Sequence, residues 1–196
     1  STPQLTLFPY TTLFRSPSFT AVNTSTTPIV ATITVTPTFT NGATNCIGTP
    51  KTFTITVNPS GQVNQPTNQV VCNNTATNAV NFSTTNTNGT TSYAWSINTN
   101  IGLSPLTGTG DLPSFTAINT GTTPITATIT VTPTYNGTSI CNGTSKTFTI
   151  TVNPSGQVNQ PTNQVVCNNT ATSTVNFSTT NTVGTTSYAW SFDTNI

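Results

Sequence analysis

Lys51 to Thr77 reads KTFTITVNPSGQVNQPTNQVVCNNTAT, and the same string returns without a change from Lys146 to Thr172. The flanks recur as well. PSFTA at Pro17–Ala21 returns at Pro113–Ala117, and VNFSTTNT at Val80–Thr87 returns at Val175–Thr182. A chain that repeats itself is built from one structural unit used more than once, so the period sets the fold problem. The period here is about 95 residues, the size of a single domain. Residues 17–61 then carry the back half of one module, residues 62–156 a complete module, and residues 157–196 the front half of a third.

Within each copy the apolar residues alternate with polar ones. From Ile29 to Phe39, Ile33, Val35 and Phe39 fall on one face and Thr32, Thr34, Thr36 and Thr38 on the other. Lys51–Val57 repeats the pattern with Phe53, Ile55 and Val57. Period two with β-branched residues is the signature of half-buried strands, and two such runs around a Gly-containing loop form an antiparallel hairpin. The complete module is expected to open with Val70–Cys72 and to continue with strands over Ala79–Ser83, Ser92–Ile97, Pro113–Thr120, Ile125–Tyr135 and Lys146–Val152. Pro17–Thr24 is the matching short strand of the first module. Asn88-Gly89 marks a turn. Six or seven short strands without a helical period indicate an all-β fold, a β-sandwich. Its expected core is Val80, Phe82, Trp95, Phe115, Ile129, Val131, Phe148, Ile150 and Val152. Asn58–Gln69, with Pro59, Gly61 and Pro66 in a polar run, is expected to be the joint between modules, stiffened by its prolines.

Composition narrows the chemistry. Charged residues make up 3% of the chain, and they are Arg15, Lys51, Lys146, Asp111 and Asp193; there is no His, Glu or Met. Acid–base catalysis needs a group that titrates near the working pH, and a Ser or Cys nucleophile needs a base beside it. Neither is supplied, so no catalytic residue, no cofactor-binding residue and no enzyme activity is expected. Metal ligation lacks His, paired carboxylates and a close Cys pair, so no metal site is expected. A basic nucleic-acid footprint is absent. No run of about eighteen apolar residues suggests a membrane span in these residues.

The four cysteines are Cys46, Cys72, Cys141 and Cys167. A within-module disulfide, Cys72–Cys141, is the first expectation. The rival is Cys46–Cys72 with Cys141–Cys167, clamping the joints, and free thiols are the third option. Threonine rows (Thr126, Thr128, Thr130 and Thr132 opposite Thr147, Thr149 and Thr151) suit strands and pair across them, which outweighs a regular ligand-binding lattice on a twisted sheet. The two incomplete modules are expected to present unpaired strand edges, which template association.

VNFSTTNTNGTTSYAWSI (Val80–Ile97), followed by SFTAIN, TPITATITVTP and KTFTITVNP, resembles the PKD-like repeats of large bacterial surface proteins. The resemblance covers essentially everything after Ser16. It implies an immunoglobulin-like sandwich strung in arrays on secreted proteins, in adhesion or as spacers, and it brings no catalytic residues. Where that pattern often continues W-D-F-G-D-G, this chain has W-S-I-N-T-N and W-S-F-D-T-N. Residues 1–16 stand apart. Thr6–Ser16, TLFPYTTLFRS, resembles one reading frame of a common sequencing adapter, and the segment is set aside from fold reasoning.

The functional expectation is a non-enzymatic spacer or stalk repeat of a large extracellular bacterial surface protein, related to adhesion, whose partners are neighbouring repeats. Signal and anchor are expected outside these residues. The alternative is a carbohydrate- or protein-binding module that contacts an extracellular glycan or protein through the Gly102–Leu112 loop and an exposed Tyr93 region.

Overall fold

The structure is a computed structural model that describes residues 18–194. The adapter-like segment lies outside the described residues, as do Pro17, Asn195 and Ile196.

The described chain is all-β, with ten strands. In the first module β1 (Ile29–Val35) pairs antiparallel with β4 (Lys51–Val57), and β2 (Thr38–Asn41) with β3 (Thr44–Ile47). The complete module contributes β5 (Gln69–Cys72), β6 (Thr90–Ile97), β7 (Thr107–Thr109), β8 (Ile125–Asn136), β9 (Ile140–Asn142) and β10 (Lys146–Asn153). These form one six-stranded sheet in the order β5-β10-β8-β6-β7, with β9 also on β8. The β8–β10 hairpin aligns Val131 with Lys146 and Ile125 with Val152. The first module holds the same register, with Val35 on Lys51 and Ile29 on Val57. One sequence pattern therefore gives one pairing twice, because a one-residue slip would turn every apolar side chain outward.

β8 alternates buried and half-buried residues along almost its whole length. Its inward set, Ala127, Ile129, Val131 and Tyr135, joins Phe148, Ile150 and Val152 of β10 and Trp95 and Ile97 of β6 in the buried interior. Pro133 lies in β8 between the end of the β10 pairing and the start of the β9 pairing, so that edge loses no ladder bond to its missing N–H. Its carbonyl still accepts the Gly143 amide at 2.9 Å.

The second layer is irregular. Residues 74–82 run beside 112–117 through two isolated bridges, Ala76 with Thr116 and Val80 with Leu112. The strands expected over Ala79–Ser83, Pro113–Thr120 and Pro17–Thr24 are therefore not regular strands in the described residues. Side chains take the donors a ladder would use. Asp111 Oδ1 accepts the Phe82 amide at 2.8 Å, Thr77 Oγ1 accepts that of Phe115 at 3.1 Å, and Asn73 Oδ1 accepts that of Asn119 at 2.7 Å.

Of the expected core, Trp95, Ile129, Val131, Phe148, Ile150 and Val152 are buried, while Val80, Phe82 and Phe115 pack against them half-buried. The irregular layer and its loop add Ile101, Leu103, Leu112 and Ala117, and the joint adds Val63. The indole Nε1 of Trp95 is buried without a hydrogen-bond partner.

No strand forms in residues 157–194. Local geometry nevertheless repeats: the Phe177 and Tyr188 rings lie 5.5 Å apart, as Phe82 and Tyr93 lie 5.4 Å apart. What is missing is the facing sheet, and the consequence is exposure. Trp190 is 68% exposed where Trp95 is 7%, and Phe53 is 49% exposed where Phe148 is 2%.

Candidate functional site: the joint between modules

The residues expected to form a stiff polar linker are instead packed. Pro59, Gly61 and Val63 are buried. The Gly61 amide donates to the Cys141 carbonyl at 3.2 Å, and the Asn64 amide to the Ser83 carbonyl at 2.8 Å. The Gln62 amide donates to Asn86 Oδ1 at 2.7 Å, and Asn86 Nδ2 returns a bond to the Ser60 carbonyl at 3.2 Å. Gly61 sits where a Cβ would lie 2.7 Å from the Pro133 carbonyl oxygen, and a Cβ on Gly143 would lie 1.7 Å from the Gly61 oxygen. Only glycine allows these two backbones to approach so closely. The joint is thus a strap laid across the end of the complete module beside the β8–β9 turn.

Two further contacts reach across the joint. Asn58 Nδ2 donates to the Ser139 carbonyl at 3.2 Å. The Thr87 amide donates to the Thr26 carbonyl at 3.0 Å. At the next joint the Thr182 amide donates to Thr122 at 3.3 Å, and the Gln157 amide donates to Asn181 Oδ1 at 3.0 Å. One set of contacts is therefore used at both joints.

A buried amide positions the turn that makes this contact. Asn119 Nδ2 donates to the Thr123 carbonyl at 2.8 Å and the Val152 carbonyl at 2.7 Å, while its Oδ1 accepts the Gly121 amide at 3.0 Å. Every polar atom of the buried side chain is engaged. In the first module Asn23 makes the matching bonds to Thr27 and Val57 at 2.8 and 2.7 Å. Sequence reasoning singles out neither asparagine. The signal it offers is the recurrence of Asn two residues after PSFTA in both copies.

All four cysteines are free thiols. Cys72–Cys141, the expected within-module disulfide, does not form, because the two lie at opposite ends of the sheet. Cys72 pairs with Asn153, next to the Val152–Ile125 end, and Cys141 pairs with Tyr135. From Ile125 to Tyr135 the strand runs on the order of 33 Å, against the ~7 Å between Cα atoms that a disulfide tolerates. Cys46–Cys72 and Cys141–Cys167 are not bonded within the chain either.

The loop expected to bind a ligand is anchored by its leucines but exposes Ser104–Thr107 and Thr109–Asp111, and the aromatic is partly packed. Within and beside Gly102–Leu112, Ile101, Leu103 and Leu112 are buried, and Leu106 is 39% exposed. Tyr93 is half-buried against Phe82 rather than exposed. Burial raises the Tyr93 phenol above its ordinary pKa, a hydrogen bond with Thr84 opposes the shift, and the Asp111 charge adds to it. Of the threonine rows, Thr126 and Thr151 bond across the hairpin, their hydroxyls 2.9 Å apart.

Among the described residues no group of three or more His, Cys, Asp or Glu is placed to hold a metal ion. No helix there is long and apolar enough to cross a membrane. No protein-family model matches the chain, and no curated protein matches it.

Proposed function

We propose that the chain is a run of structural spacer modules from a large extracellular bacterial surface protein, related to adhesion, and that its role is mechanical and not enzymatic. The observation that carries this reading is the reuse of one joint, in which Thr26 meets Thr87 as Thr122 meets Thr182. A docked joint repeated at a fixed period fixes the angle between neighbours and turns beads into a rod. The motif resemblance to PKD-like repeats, and the immunoglobulin-like sandwich it implies, belong to the same proposal. So does a surface location, to which the low charge is suited.

The alternative, a glycan- or protein-binding module, is weakened by the inward packing of Leu103 and Leu112 and by the half-burial of Tyr93. A glycan array probed with the full chain separates the two. The spacer reading expects no selective signal; reproducible binding to one glycan class would replace it with the alternative.

A further inference from the structure

Tension along the chain enters the complete module at Gln62 and leaves it at Gly156, whatever precedes and follows them. The strap and β5 lie on the entry side, and β10 on the exit side. β5 runs parallel to β10, with Gln69 on Ile150, Val70 on Thr151, Val71 on Val152 and Cys72 on Asn153. The pairing continues past both ends of β5. Gln65 Nε2 donates to the Thr147 carbonyl at 2.8 Å, and the Thr149 amide donates to Asn68 Oδ1 at 2.8 Å. Beyond Cys72, the Asn73 amide donates to the Asn153 carbonyl at 2.8 Å, and Asn73 Nδ2 donates to Ser155 Oγ at 3.1 Å. The side-chain bonds join residues 81 or 82 positions apart, so one parallel register runs from Gln65 to Asn73. Pro66 has no N–H to give a ladder, and the amide side chains of Gln65 and Asn68 on either side of it take over.

We propose that this run is a shear clamp, through which the complete module resists extension when the chain is pulled from its two ends. Pulling draws Gln62 back along the strap and Gly156 onward along β10. Because the two segments run parallel, the pulls slide one past the other. The bonds between Gln65 and Asn73 and their partners lie across that sliding direction and take the load together. An antiparallel pair of end segments would instead open one bond at a time. The use of the clamp rests on the spacer reading, but the glycan array that tests that reading is blind to force.

The ladder decides which side yields. β10 is held to β8 by seven residue pairs and to β5 by four. The strap and β5 are therefore the side that slides free, and the bonds of Gln65, Asn68 and Asn73 reinforce that weaker side. Both sides of the clamp fall within the string that returns without a change: Gln65–Asn73 lie in Lys51–Thr77, and Thr147–Ser155 lie in Lys146–Thr172. Each use of the string thus encodes the exit side of one clamp and the entry side of the next.

The test holds the full chain by peptide tags at its two termini, in reductant, and records its extension at constant force. Release of the complete module frees about 95 residues, a gain on the order of 300 Å. Two matched variants separate the load path from stability. The Thr149 amide donates to Asn68 Oδ1 and the Thr128 amide to Asn98 Oδ1, both at 2.8 Å and both at exposed side chains, but Asn98 lies off the clamp. Asn68→Ala and Asn98→Ala should therefore shift the urea midpoint alike. Under force, Asn68→Ala should speed release of the module by about fivefold, the rate equivalent of one hydrogen bond broken at the barrier. Asn98→Ala should change that rate by less than about twofold, because its bond is intact when the clamp gives way. Gln65→Ala should act as Asn68→Ala does. Equal release rates for the Asn68 and Asn98 variants, or unchanged rates for Asn68→Ala and Gln65→Ala, overturn the clamp.

Discussion

Thr87 donates its amide to the carbonyl of Thr26 at 3.0 Å, bridging two modules through backbone alone. No side chain at either position is required for the bond, so its strength depends on how firmly each turn is held. On the Thr122 side of the next joint, Asn119 does the holding.

Asn119→Ala removes two donated bonds and leaves the Thr123 and Val152 carbonyls without that partner. A loss on the order of 1–3 kcal/mol is expected, since a buried group left unsatisfied forfeits its hydration as well as its bond. Asn119→Asp should cost more, because a carboxylate presents acceptors to acceptors. Urea unfolding of the full chain, followed by tryptophan fluorescence, reads both.

Trp95→Ala should destabilise the complete module by about 3–5 kcal/mol through loss of packing and the cavity left behind. Trp95→Phe should cost much less than that. The indole N–H is buried without a partner, so removing it relieves a desolvation penalty that offsets part of the lost contact. Thermal melts of the two variants, followed by circular dichroism, should rank them in that order.

Much of this is legible in the sequence. Strict alternation in Ile125–Tyr135 and Lys146–Val152 specifies the hairpin, its register and five of the nine expected core residues. The irregular layer cannot be read the same way, because its donors are taken by Asp111, Thr77 and Asn73 side chains, and polar residues at those places carry no period. The joint misleads for a related reason. Pro, Gly, Asn and Gln are the composition of a linker, but here Gly61 permits close backbone contact and Gln62 and Asn64 find specific partners. The cysteine pairing fails because sequence spacing does not reveal which end of a strand a residue occupies.

Gly61→Ala should destabilise the docked strap by roughly 1–3 kcal/mol, the usual cost of forcing extra volume into a packed site. A Cβ there would lie 2.7 Å from the Pro133 oxygen and 2.8 Å from the Thr134 nitrogen, both of them backbone atoms with little room to yield. Small-angle scattering should show a broader distribution of angles between the first and second modules, while the β8–β10 sheet keeps its circular dichroism.

Alkaline pH should weaken the complete module. Tyr93 has a raised phenol pKa in the folded chain, so as pH rises through about 10 the unfolded chain loses its proton first. Stability from this group is therefore fully present below that pH and falls above it. Tyr93→Phe should flatten that part of a stability–pH curve measured by denaturant midpoints.

The claim that the modules are docked rather than tethered is tested most directly by amide hydrogen exchange at Thr87, whose amide donates to the Thr26 carbonyl of the neighbouring module at 3.0 Å. A docked joint predicts protection at that position comparable to that of Phe148 and Ile150 in β10. Exchange at the rate of an unstructured peptide, with β10 still protected, would contradict it.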